Sequence, residues 1–396
     1  IELTQRKPIL RVNSINGYDF YVTDDNYILP TQRYYSVYVP VVTGMLRLPF
    51  APDYVGSLEN CIAEGDKDEK KVPQTFSVRT DLAIEARELA QKDTTDTLEG
   101  VAVETDEQAD YSLTHVHILS PEGSARMGKP MGHYITLESE KLKENDADCH
   151  EKLIGLLAEQ IRSLAKPKRE DCILVIGLGN WNITPDALGP KVISKILVTR
   201  HLSGTLPAEI EKAVRPVAAV SPGVMGITGI ETGEIVKGIV DKLHPSLLIA
   251  IDALAARRSN RINAAIQMSD TGVAPGAGVG NRRMLLDEAH LGIPVIAIGV
   301  PTVVDAATLV NDTMDCILEE MIRQTEKGTA FYETLADLEQ EEKYQMIAEI
   351  LGPYTGNLFV TPKEVDAVVD RLANIIANSI NIALHPGITL EDINKY

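Results

Sequence analysis

The chain has 396 residues, of which 44% are hydrophobic and 24% charged, and its formal net charge is −19. That length and composition suit one large α/β domain or two smaller ones with a sizeable buried core, while the charge argues against direct contact with nucleic-acid phosphates. The chain opens at Ile1 without a basic-then-apolar leader, and no apolar run reads as a transmembrane segment, so no membrane partner is expected.

Residues 1 to about 73 differ from the rest. They hold seven of the 13 tyrosines, short β-like runs such as "YYSVYVPVV", and a closing charge run "EGDKDEKK" that reads as a linker. The expected division is an N-terminal extension or pro-segment over 1–76 and an α/β domain over 77–396. In the second part, "DLAIEARELAQ" is helical by apolar spacing, "SLTHVHIL" and "HYITLES" are strand candidates, and "HEKLIGLLAEQIRSLA" (150–165) is an amphipathic helix. A regular alternation follows. "CILVIG", "RPVAAVS", "SLLIAIDA" and "PVIAIGVP" read as buried strands, separated by helices over "PDALGPKVISKILVTRHL" and "ETGEIVKGIVDKL" and followed by one over "VVDAATLVNDTMDCILEEMIRQ". Continuous apolar strands between amphipathic helices predict a mainly parallel sheet with helices on both faces. A helical tail is expected over roughly 335–385.

Four cysteines, Cys61, Cys149, Cys172 and Cys316, form no Cys-x-x-Cys pair. They read as reduced thiols of a cytoplasmic protein rather than a zinc site or a disulfide framework. None of the eight histidines has the His-Glu-x-x-His spacing of a zinc peptidase, so neither a metal nor a cofactor is expected. His115 and His117 fall on one face of a strand candidate, which suits a solvated face.

The stretch "GLGNWNITPDALGP" (177–190) follows a strand but lacks the third glycine of a dinucleotide fingerprint and the Lys-Ser/Thr of a phosphate loop. Its glycines fit a sharp turn over the sheet edge better. Asp186 stands past the carboxyl end of that strand, where sites collect in open parallel sheets; it also fits a helix-capping aspartate. Asp252 follows five apolar residues in "LLIAIDALAARR", and a carboxylate there is costly unless it is paired or useful. If the two strands are neighbours, the two carboxyls can share acid and base roles toward a peptide bond; otherwise they are unrelated caps. Glu231, near a helix start in "SPGVMGITGIETGE", reads as a cap. The glycine-rich loop "SDTGVAPGAGVGNRR" (269–283) reads as a flexible wall near substrate.

The runs "SVRTDLAIEA", "IGLGNWNITPDALGPKV", "LVTRHL", "PGVMGITGIETGEIVKGIV", "IAIDALAARR", "IQMSDTGVAPGAGVGN", "LGIPVIAIGVPTVVDA" and "LFVTPKEVD" together resemble the germination protease family of spore-forming bacteria. The resemblance spans about 77–385, and residues 1–73 have no part in it. It implies a cytoplasmic endopeptidase of the spore core that degrades small acid-soluble spore proteins during germination. It further implies a homotetramer, made as a zymogen that removes its own N-terminal segment. In that family two aspartates are essential in an atypical aspartic mechanism, and they match Asp186 and Asp252. The stretch "RTDLAIEA" resembles the acid-then-aliphatic sites the family cuts, which predicts self-cleavage between Asp81 and Leu82. The same residues fit a helix, so cutting there would need local unfolding.

Two other readings are carried. Hydrogenase-maturation endopeptidases share the strand–Gly-x-Gly-Asn–acid opening and read a bound metal with carboxylates and a histidine. A non-catalytic binding scaffold would keep both aspartates as caps.

Overall fold

In the computed structural model, the described residues are 9–15, 18–23, 28–31, 80–90, 98–275, 284–324 and 358–393. The chain divides into two compact units, Ile1–Thr75 and Phe76–Tyr396. In the first, strands β1 (Ile9–Ile15), β2 (Tyr18–Thr23) and β3 (Ile28–Thr31) form an antiparallel sheet in that order. Asn16-Gly17 is all the sequence between β1 and β2, and that dipeptide favours two-residue hairpins. The run "YYSVYVPVV", the charged linker and Cys61 lie outside the described residues.

The second unit is built on a nine-stranded sheet. In chain order its strands are β4 (Val101–Glu107), β5 (Ser112–Ile118), β6 (Gly132–Glu138), β7 (Ile173–Gly177), β8 (Val217–Val220), β9 (Leu247–Ala256), β10 (Ala265–Ser269), β11 (Val295–Asp305) and β12 (Phe359–Val360). The spatial order is β4-β5-β6-β10-β11-β9-β7-β8, with β12 on the end of β11. Strands β8, β7, β9 and β11 run parallel, as their apolar runs predict. The antiparallel half consists of β4, β5, β6 and β10, joined to β11 through β10, so the sheet is mixed. Antiparallel strands tolerate a solvated face, and β4 accordingly carries the polar run "VETDE".

Seven helices matter here: α1 (Ala83–Ala90), α2 (Pro121–Met127), α3 (Ala147–Ala165), α4 (Leu188–Ile193), α5 (Thr232–Leu243), α6 (Ala306–Gln324) and α7 (Val365–Leu384). Alternate strand residues feed two cores. Ile173, Val175, Ile249 and Ile251 pack with α3, α4 and α7 on one face. Leu174, Ile176, Leu248 and Ala250 pack with Val236 and Val240 of α5 on the other. Strands buried on both faces need continuous apolar sequence, which is what β7 and β9 supply.

Two expectations change. The helix read over "PDALGPKVISKILVTRHL" is confined to α4, because the Asn381 side chain takes over the backbone beyond it. Its carbonyl accepts from Leu197 N at 2.9 Å and its amide donates to Lys195 O at 3.1 Å. Helix α7 is, by length and composition, apolar enough to cross a membrane, contrary to the sequence reading, yet 67% of its most apolar window is buried inside the protein. It is the central core helix, packed on α3 and α4. Of the expected helical tail, residues 335–357 lie outside the described residues.

Candidate active site

The glycines of "GLGNWNITPDALGP" have a local explanation. A Cβ on Gly177 would meet Gly189 O at 2.3 Å, so β7 and α4 touch backbone to backbone. Gly179 adopts φ +109°, and a Cβ there would lie 2.1 Å from Asp186 O and 3.0 Å from Asp186 Oδ1. The chain thus folds back on itself so that Asp186 closes over Gly179, an arrangement open to glycine alone. Asn180 N donates to Asp186 O at 3.0 Å, and Asp186 N donates to Ile183 O at 2.8 Å. Asp186 ends the short 3-10 turn Thr184–Asp186, with Pro185 inside it. Thr184 Oγ1 anchors that turn to α7 by donating to Asp366 Oδ1 at 2.8 Å.

Asp252 is 6% exposed. It does not end its strand, since β9 continues to Ala256. The β7–β9 ladder does end there: Gly177 pairs with Ile251, and Leu178 N donates to Ile251 O at 2.8 Å. Past that point the strand partner of β9 is β11, with Asp252 opposite Gly299. The Asp252 carboxylate accepts from Ala253 N at 2.9 Å. Leu178 touches the residue before Asp252, and the next residue, Gly179, touches Asp186. The turn carrying Asp186 packs on β9, β11 and α7. Both sequence-predicted carboxylates therefore occupy one corner, at the carboxyl end of β7 where β9 runs on past it.

The loops at this end expose apolar side chains: Trp181 and Ile183 after β7, then Met225, Ile227 and Ile230 after β8. Glu231 holds the N-cap position of α5 without a side-chain cap bond. Its carboxylate instead accepts from Met284 N at 2.6 Å, anchoring the chain where the glycine-rich loop ends. Of that loop, residues 276–283 lie outside the described residues. Asp270 sits toward the amino end of β11, away from the pair. It accepts from His133 N at 2.8 Å and meets the His133 ring at 2.7 Å, and His117 stacks on that ring at 3.9 Å. Among the described residues, no group of three or more His, Cys, Asp or Glu is placed to share a metal ion. Cys149, Cys172 and Cys316 are free thiols.

Sequence reading missed a second polar cluster beside this corner. Glu85 of α1 is fully buried, and its carboxylate accepts from Arg257 N at 2.7 Å and Arg258 N at 2.9 Å. Arg261 stands 3.4 Å from Glu85, 2.6 Å from Glu88 and 2.6 Å from Glu138. Burial works against the charged form of Glu88, yet the hydrogen bonds and charge of Arg261 hold its carboxyl below the usual range. The available signal was Glu85 set among the apolar residues of "DLAIEARELA". The Asp81–Leu82 bond lies at this cluster, with Leu82 and Ala83 fully buried.

The family model for germination proteases matches residues 79–337 and 320–396. The chain belongs to the germination protease family. It is 51% identical over 321 residues to the germination protease of Clostridium tetani, covering 81% of this chain and 99% of that one. It is 42% identical to that of Bacillus cereus strain AH187, covering 81% and 97%. Among solved structures, the [NiFe] hydrogenase maturation protease HycI from Thermococcus kodakarensis is matched at 16% identity and a TM-score of 0.28, over 56% of this chain and 98% of that one. The family match begins at residue 79 and leaves the β1–β3 unit outside it. The protein is thus a protease of spore germination.

Proposed function

We propose that the chain is an atypical aspartic endopeptidase in which Asp186 and Asp252 carry the chemistry, and that its substrates are small acid-soluble spore proteins degraded in the spore core during germination. The observation that carries this reading is the shared corner of the two carboxylates. One, ionised, takes a proton from the attacking water as the new C–O bond forms; the other, protonated, gives its proton to the leaving amine as the C–N bond breaks. Two nearby carboxyls divide these states because their mutual repulsion favours a single shared proton. The pair does this chemistry without a metal, so chelation is expected to leave activity intact. Exposed Trp181, Ile183, Met225 and Ile227 give the corner an apolar rim suited to a polypeptide.

The same reading includes a homotetrameric zymogen that cuts itself between Asp81 and Leu82. That bond is pinned in the folded chain, so processing requires the segment to loosen enough for the attacking water to reach its carbonyl, which accounts for latency. The direct test is digestion of a purified small acid-soluble spore protein by the purified, processed chain. Discrete fragments cut after acidic residues support the reading. An intact substrate after prolonged incubation with processed, folded protein overturns it.

A further inference from the structure

The segment Thr80–Glu85 is held in a way unlike ordinary core packing, because nearly every polar group in it meets its own partner. Asp81 continues the ladder that β7 leaves: its N–H donates to Ala255 O at 3.1 Å, and its carboxylate accepts from Ala255 N at 2.8 Å. The Asp81 carbonyl accepts twice, from Lys129 Nζ at 3.0 Å and from Gln267 Nε2 at 3.1 Å. Gln267 also accepts from Ala83 N at 2.6 Å, and Lys129 donates to Thr80 O at 3.2 Å. Leu82 and Ile84 pack on Leu254 in a cluster of their own. Glu85 is taken by the two amides of Arg257 and Arg258. In β9, Leu254 is two residues past Asp252 and so on the same face, about 7 Å along the strand.

We infer that this cradle is the enzyme's peptide-binding site, occupied in cis by its own segment, and that Lys129 and Gln267 are the clamp that polarises the carbonyl to be cut. The ligand class follows from the occupant: a peptide reading hydroxyl, acid, aliphatic, small, aliphatic, acid, whose last three residues turn into a helix. The free edge of β9 binds its backbone, as sheet edges bind added strands. The ammonium and amide on one carbonyl oxygen match the donors that stabilise the charge growing there as water adds to the carbonyl carbon. That oxygen loses its charge again when the C–N bond breaks and the amine leaves protonated. While Thr80–Glu85 stays docked, another peptide is excluded.

This inference rests on the peptidase reading, and its test separates the two. The probe is a fluorescent peptide copying residues 78–90, titrated into full-length chain carrying Asp252→Asn so that binding is read without turnover. Glu85→Gln in the chain loosens the resident segment, and the peptide is expected to bind about tenfold more tightly to that variant. Adding Lys129→Met or Gln267→Leu should remove the gain. A peptide with glutamine in place of its Glu85 equivalent should bind about tenfold more weakly. Equal affinities across these chains and peptides overturn the site. If Glu85→Gln lacks a folded near-ultraviolet spectrum, Thr80→Ala, which removes one bond to the same carboxylate, carries the comparison. With Asp252 restored, Lys129→Met should lower kcat for peptide cleavage by more than it changes KM, with partial rescue by Lys129→Arg. Cleavage at the unaltered rate by both clamp variants overturns the clamp and leaves the peptidase reading standing. Tight binding with no cleavage by any chain overturns the peptidase reading and leaves the docking site standing.

Discussion

Thr184 and Asp366 join the turn that carries Asp186 to the core helix α7, hydroxyl to carboxylate at 2.8 Å. The bond fixes a short 3-10 turn that has no side-chain cap of its own. Thr184→Val keeps the shape and loses the donor. It should lower kcat by about tenfold through misplacement of Asp186, while costing only about 1 kcal/mol of stability. Steady-state kinetics beside thermal unfolding will show whether rate falls much further than stability; equal, small effects on both would rule out a positioning role.

Asp186→Asn and Asp252→Asn should each abolish turnover with the fold intact, since the amide keeps the shape and cannot exchange protons. The expected loss is about 10²–10⁴-fold in kcat. The double variant should be little worse than either single one, because the two act as a unit. Near-normal cleavage by either folded single variant would remove that carboxylate from the mechanism.

How far this corner was readable follows from particular residues. The apolar runs before Gly177 and Asp252 identify strands locally, so Asp186 could be placed past a strand end without a structure, while Asp252 was read as ending a strand that continues to Ala256. The reach of β9 beyond β7 was not legible, because strand length there is set by pairing with β11. The cradle was hidden for a similar reason. Lys129 meets Asp81 across 48 residues and Gln267 meets it across 186, and no local pattern marks such a contact. Likewise α4 stops where Asn381, 184 residues from Leu197, competes for its backbone.

Arg261 holds three glutamates around the start of the domain. Arg261→Met leaves Glu85 buried with its counter-charge gone, and should cost about 3 kcal/mol or more. Chemical denaturation gives the value. A loss below about 1 kcal/mol would mean that the Arg257 and Arg258 amides alone satisfy Glu85.

His385 gives the fold an acid limit. It is 1% exposed; its Nδ1 accepts from Arg215 N at 3.1 Å and its Nε2–H donates to Leu197 O at 3.2 Å. Burial pulls its pKa down to about 4, the bond to Leu197 opposes this, and the Arg215 charge adds to it. The folded value lies below the unfolded one of about 6.5. The neutral ring is therefore the form the fold favours, and its contribution is complete above about pH 6.5 and drains away between there and pH 4. Its size is a few kcal/mol. Melting temperatures from pH 7.5 to 4.5 should fall less steeply for His385→Gln than for the parent chain; parallel curves would discount the histidine.

Self-processing is checked by N-terminal sequencing after incubating the full chain at mildly acidic pH, where one carboxyl of the pair is more readily protonated. A new terminus at Leu82 is expected, and none in Asp252→Asn. A terminus elsewhere, or one that persists in that variant, would reassign the cut.

The burial of Leu82 and Glu85 places an unusual load on six consecutive residues. Under the proposed self-processing, Thr80–Glu85 must be good core, or the domain loses its first helix, and must also be good prey, or the chain is never trimmed. A substitution there is felt twice, once by the melting curve and once by the maturation clock, and the two need not move together. Tightening the segment would make a sturdier protein that wakes late; loosening it would make a frailer one that wakes early. On that reading the timing of activation is tuned by ordinary packing changes in the segment itself, with neither of the proposed catalytic carboxylates altered.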